Sequence, residues 1–162
     1  MKRLLVALFA VLLLCSCGAK YEPFAYQNGD IVAKCEVNDK YIINVEKAGG
    51  ERLLYISEPS ELSYISFKYE GGECIARCDE MEIPLSEGAM DGIVALCLML
   101  DLSEEDIIST TASVDSSRIE VCSGDVCYLV DYNKDSLPSH ISISSDSLSI
   151  EVEILELITK SK

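Results

Sequence analysis

The feature that most constrains the fold is a two-residue period of apolar side chains that returns in segment after segment. It is strictest near the end of the chain. There Leu148, Ile150, Val152 and Ile154 alternate with Ser149, Glu151 and Glu153. Side chains on a strand point to opposite faces in turn, so such a run predicts a strand with one face buried and one wet. A chain that repeats this pattern with turn residues between the runs builds an antiparallel sheet with a single covered face.

The same period places the earlier strands. Residues 31–37 put Ile31, Ala33, Cys35 and Val37 on one face and Lys34 and Glu36 on the other. Asn38-Asp39-Lys40 is a turn, residues 41–45 are the next strand, and Ala48-Gly49-Gly50 turns into a third over 52–57. Residues 64–69 alternate again, and Glu70-Gly71-Gly72-Glu73 is a hairpin signal. Cys74, Ala76 and Cys78 then share one parity and Met81, Ile83 and Leu85 the other. A one-residue slip near Asp79-Glu80, as a bulge or a tight turn, reconciles them.

Residues 89–100 break the period. They are rich in Ala, Leu and Met and are apolar nearly all round, which predicts a helix packed inside something. Ser103 followed by Glu104-Glu105-Asp106 reads as an N-cap with acids in the first turn, opening a short second helix that ends near Thr110. Strands resume at 118–122 and 127–132 around Ser123-Gly124-Asp125-Val126, and at 140–144 and 148–155. The expected order is meander, helical insertion, meander.

The first residues carry an address. Lys2 and Arg3 precede Leu4–Leu14, an apolar run too short for a membrane span of ~20 residues and right for a signal peptide. Leu14-Cys15-Ser16-Cys17 resembles a bacterial lipobox, with Cys17 as the residue that receives the lipid. Cys15 fits worse, because bulky Leu14 would sit beside the cleavage point; an ordinary secretory signal is the alternative. The expected divisions are 1–16 signal peptide, 17–29 lipidated cysteine and tether, and 30–162 one domain. Pro23 and Asn28-Gly29 are the breakers in the tether. The expected location is the extracytoplasmic face of a bacterial membrane, held by lipid on Cys17.

Charge narrows the partners. The chain has 13 Lys and Arg against 28 Asp and Glu, a net charge of −15, which falls to −17 once Lys2 and Arg3 are removed. Such a body repels polyphosphate and anionic headgroups, so nucleic acid is excluded as a partner and attachment falls to the lipid.

Besides Cys17, the mature chain holds Cys35, Cys74, Cys78, Cys97, Cys122 and Cys127. Cys122 and Cys127 flank a four-residue loop and would face each other across two strands, which makes them the candidate disulfide. Cys74 and Cys78 lie ~13 Å apart if their segment is a strand. With His140 the only histidine, they read as packing and not as a metal site. Cys97, in the apolar helix, also reads as packing.

The order of elements is similar to that of a known group. The lipobox is followed by Lys40-Tyr41-Ile42-Ile43-Asn44-Val45 and by Pro59-Ser60-Glu61-Leu62 leading to Ile65-Ser66-Phe67. A helical insertion and Leu137-Pro138-Ser139-His140-Ile141 complete it. This resembles the small lipoproteins of Gram-positive, clostridial-type bacteria with a fold like the carriers LolA and LolB, near the GerS-type germination lipoproteins. The resemblance implies an α+β fold: a strongly curved antiparallel half-barrel with a helical insertion covering its concave face. In the carriers that hollow accepts acyl chains; in relatives it is filled, and the surface binds a protein.

No Gly-x-Ser-x-Gly elbow, phosphate-binding glycine loop or HExxH is present, and no carboxylate pair stands out as acid and base. No catalytic residue, metal or cofactor is expected. A binding module remains, for an envelope protein or for a lipid or acyl-chain ligand, with a thiol-redox protein as a third reading. Met90, Ile93, Val94, Leu96, Leu98, Met99 and Leu100 are the candidate apolar groove. The lipid reading requires an apolar cavity of ~300 Å³ or more beneath the helix, and the protein-partner reading a collapsed one.

Overall fold

The computed structural model describes residues 24–86, 91–112 and 116–160. The expected signal segment 1–16, Cys17 and Met90 lie outside the described residues.

Six strands precede the helix: β1 (Asp30–Val37), β2 (Tyr41–Ala48), β3 (Glu51–Glu58), β4 (Ile65–Glu70), β5 (Glu73–Cys78) and β6 (Met81–Pro84). One helix follows, α1 (Asp91–Leu98). Five strands complete the chain: β7 (Ile107–Ala112), β8 (Ser117–Ser123), β9 (Val126–Tyr132), β10 (Pro138–Ser144) and β11 (Ser149–Lys160). All eleven form one antiparallel sheet in the order β6-β5-β4-β3-β2-β1-β11-β10-β9-β8-β7. Each half is a meander, and β1 paired with β11 joins them. The edges, β6 and β7, are consecutive in the chain and are linked by the segment that carries α1.

The sheet is rolled. β5 and β9 stand seven places apart in the strand order. In a flat sheet, with ~4.8 Å between strands, they would be about 34 Å from each other. Yet Cys74 of β5 and Tyr128 of β9 line the same hollow. The result is an open half-barrel, whose inner face carries the alternating apolar residues. Ile31, Ala33, Cys35, Val45, Ile119, Val121, Val130, Ile141 and Val152 are all buried on it.

Turn chemistry sets the registers. Glu70 pairs with Glu73 across Gly71 and Gly72, both at positive φ, where glycine carries no steric penalty. Asp79, also at positive φ, makes the slip expected near Asp79-Glu80 a tight turn, with Cys78 paired to Met81. At the β1–β2 turn, Asn38 bonds the Glu151 backbone twice: its N–H donates to the carbonyl and its Oδ1 accepts from the N–H, both at 2.8 Å.

Three expectations are corrected. The last strand runs to Lys160, past the expected end at residue 155. Lys34 pairs with Glu156 and Cys35 with Ile154, which leaves Leu155 as the extra residue of a bulge. Beyond the bulge the inward parity changes, so the simple alternation stops while the strand does not. The second helix is a single 3-10 turn, Glu104–Asp106, followed at once by β7. Ser103 does accept from the Glu105 N–H, at 3.2 Å. Ile107, Ile108, Thr110 and Thr111 are β-branched, however, and their segment pairs along β8. Finally, the stretch read as tether packs from Phe24 onward. Phe24 and Tyr26 are buried against Tyr132, with ring centroids 6.5 and 6.4 Å away.

α1 is too short to hold its shape alone and depends on the surfaces it buries. Ala95, Leu96 and Cys97 are buried, as are Met99, Leu100 and Leu102 just beyond. An ion cluster fixes the segment after it. Asp101 takes Lys47 Nζ at 2.6 Å on one carboxylate oxygen and the Arg52 guanidinium on the other. Lys47 also donates to the Gln27 carbonyl at 3.2 Å, which ties in the N-terminal turn. Both cations stand on the apolar inner face, and burial, then Arg52, hold the Lys47 ammonium below its usual range. Met99→Ala removes a fully buried side chain and is expected to cost about 2–5 kcal/mol. Asp101→Asn removes the carboxylate that both cations share and is expected to cost about 1–3 kcal/mol. Urea unfolding midpoints of both variants measure this.

Candidate ligand-binding site

Beyond Asp91, α1 has no charged side chain: Gly92-Ile93-Val94-Ala95-Leu96-Cys97-Leu98. At 3.6 residues per turn, Asp91, Val94, Ala95 and Leu98 share one flank, and Gly92, Ile93 and Leu96 the opposite one. Each flank faces its own hollow between helix and sheet.

The larger hollow has a volume of about 550 Å³. Val94, Ala95 and Leu98 form its helix side, Tyr69, Cys74 and Ile75 one wall, and Ser123, Val126 and Tyr128 the other. Asp91 and Glu73 are the charged residues of its lining. Tyr128 reaches across to α1, its hydroxyl donating to the Ala95 carbonyl at 3.4 Å. Burial pushes the Tyr128 hydroxyl up to about 12, so it stays a neutral donor at physiological pH.

The smaller hollow holds about 380 Å³. Ile93 and Leu96 line it from the helix, with Val37, Tyr41, Ile43, Leu54, Ile56, Leu62 and Ile150 from the rest of the chain. Among the described residues, none that lines it is charged. At Gly92 the start of α1 lies beside Leu148 and Ile150. A methyl group there would stand 3.4 Å from Leu148 Cδ1 and 3.6 Å from Ile150 Cδ1, ordinary contact distances.

The candidate groove residues therefore divide. Val94 and Leu98 line the larger hollow, Ile93 and Leu96 the smaller. Met99 and Leu100 line neither; they are wholly buried core. α1 thus partitions the concave face and does not cover it. The opposite wall, above all Tyr69, Tyr128 and Val126, was missed by reasoning confined to the helix. The inward parity of β4 and β9 was the available signal.

Cys122 and Cys127 pair directly across β8 and β9 and form a disulfide. It closes the hairpin whose Ser123 and Val126 belong to the larger hollow's wall. Cys35, Cys74, Cys78 and Cys97 are free. Burial pushes the Cys35 and Cys97 thiols up to about 12, with neighbouring Cys74 adding to the effect at Cys97, and burial raises Cys74 as well. A redox thiol needs the reverse shift. No group of metal-ligating side chains is present among the described residues, and no helix among them is long and apolar enough to cross a membrane. His140 lies on the outer face, its Nε2 3.2 Å from Glu151.

No family model matches the chain, and no curated protein matches it. Solved structures do. An uncharacterized conserved protein from Thermus thermophilus aligns at 8% identity and a TM-score of 0.49, over 85% of this chain and 82% of that one. A LolA superfamily protein, NE2245 from Nitrosomonas europaea, aligns at 13% identity and 0.45, over 83% and 86%. The hypothetical protein CT021 from Chlamydia trachomatis aligns at 10% identity and 0.40, over 83% and 88%.

Alkylation of the native protein by iodoacetamide is expected to reach Cys78, which is half-buried, well before Cys35, Cys74 and Cys97. Peptide mapping after native and denatured labelling reads the order; early labelling of Cys35 or Cys97 contradicts the packing described.

Proposed function

We propose that this chain is a lipid-anchored extracytoplasmic lipoprotein whose half-barrel binds an apolar, acyl-bearing ligand without chemically changing it. The 550 Å³ hollow beside α1 carries the reading. It lies within the range of small-molecule sites, about 300–1,000 Å³, and its walls are mostly apolar. A fold whose helix only completed the core would bring Val94 and Leu98 into full contact with the sheet. Both instead remain half-buried on the hollow's side. Cys17 supplies the anchor in this reading, and residues 1–16 the signal that is removed. An anchored protein of this kind acts as a stationary acceptor or presenter and not as a shuttle.

A protein partner at the envelope is the second reading. It draws on β6, a sheet edge with no further strand beside it among the described residues, where Met81 and Ile83 are 60% and 50% exposed. Adjacent exposed apolar residues on an unpaired edge suit a partner contact.

Native mass spectrometry of the domain beginning after Cys17, isolated from its own envelope without added lipid, separates the two. A co-purifying acyl species that is lost in folded Val94→Asp and Leu98→Asp variants is the expected result. A bare protein mass that takes up no added lipid would refute ligand binding and leave the edge-strand partner. Globomycin-sensitive processing and an acyl mass increment on Cys17 test the anchor separately.

A further inference from the structure

The two hollows differ in charge, and the difference specifies the ligand's head group. The larger has an apolar interior with Glu73 and Asp91 in its lining and, among the described residues, no Lys or Arg. Nearby cations are engaged elsewhere. Lys68 pairs with Glu51 at 2.6 Å and Glu70 at 2.9 Å, and Arg77 pairs with Glu82 at 2.9 Å. No ion pair to Glu73 or Asp91 is found among the described residues, and both side chains are exposed. Tyr69 and Tyr128 line the same hollow. Carboxylates favour an ammonium group and disfavour a phosphate or carboxylate head.

Resting on the acyl-ligand reading above, we propose that the larger hollow selects a cationic amphiphile: an alkyl chain carrying a primary ammonium head. The chain lies against Val94, Leu98 and Val126, and the ammonium sits between Glu73 and Asp91. The smaller hollow, with no charged residue among those described in its lining, makes no such choice. The chain's net charge of −15 attracts any cation at long range. That general field is screened within ~8 Å at physiological ionic strength. A preference that survives 0.15 M salt therefore belongs to groups close to the bound head.

Decylammonium, decanoate and decyl maltoside, each below its micelle concentration, test this by calorimetric titration at pH 7 and 0.15 M salt. The protein is the disulfide-intact domain with its envelope lipid removed. Decylammonium is expected to bind at least tenfold more tightly than decanoate. Glu73→Gln with Asp91→Asn is expected to bring that ratio to about one. Glu153→Gln with Glu156→Gln removes two exposed charges from β11 and should leave the ratio in place. Equal affinity for the two charged probes in the unaltered protein overturns the head-group assignment while ligand binding stands. So does an equal loss of preference in both double variants. If none of the three probes binds, the acyl-ligand reading falls with it.

Discussion

The pairing of β1 with β11 is the constraint on which the rest depends. It is the longest-range strand pair in the chain, running from Asp30 opposite Lys160 to Val37 opposite Val152. Without it there are two separate meanders, each with one apolar face and nothing to cover it. With it, the two faces become one rolled inner surface, and the outermost strands become the sheet's two edges. The segment carrying α1 must then pass from one edge to the other, and its shortest route lies over the concave side. The helix position thus follows from topology. Its apolar composition answers the environment that topology imposes.

The ion cluster at Asp101 is a consequence of the same geometry. Lys47 and Arg52 occupy inward positions of β2 and β3 and are directly paired in register. Two cations on an apolar inner face need a counter-charge, and the residue that follows α1 and its turn supplies it. The carboxylate also neutralises the like-charge repulsion between them. Packing of Met99 and Leu100 and pairing at Asp101 therefore act on the same few residues, one apolar and one ionic.

Strand number and face were largely legible in the sequence, because period-two alternation reports burial on one side directly. Three places escaped it for distinct reasons. At Leu155 a bulge changes the parity, so the pattern ends while hydrogen bonding continues to Lys160. At Ser103–Asp106 the capping signal is real, but it opens only one 3-10 turn, because the β-branched residues after it are claimed by β8. At Phe24 and Tyr26 the flanking Pro23 and Asn28-Gly29 read as linker, whereas the aromatic rings find Tyr132 across the sheet. The site was half legible. The apolar helix was visible, but which of its residues face a hollow and which face the core depends on the sheet's roll, and no local pattern records that. Met99 and Leu100 look the same in sequence as Val94 and Leu98.

A partition through the concave side has a consequence for stoichiometry. The two hollows lie on opposite flanks of one helix and have unequal volumes, about 550 and 380 Å³. One straight chain lying in either leaves the other in contact with water. Full desolvation of α1 therefore takes either two separate occupants or a single forked one whose branches part at the helix. Because the volumes differ, the branches of such a molecule would not be interchangeable, and only one orientation would fit each branch to its own hollow.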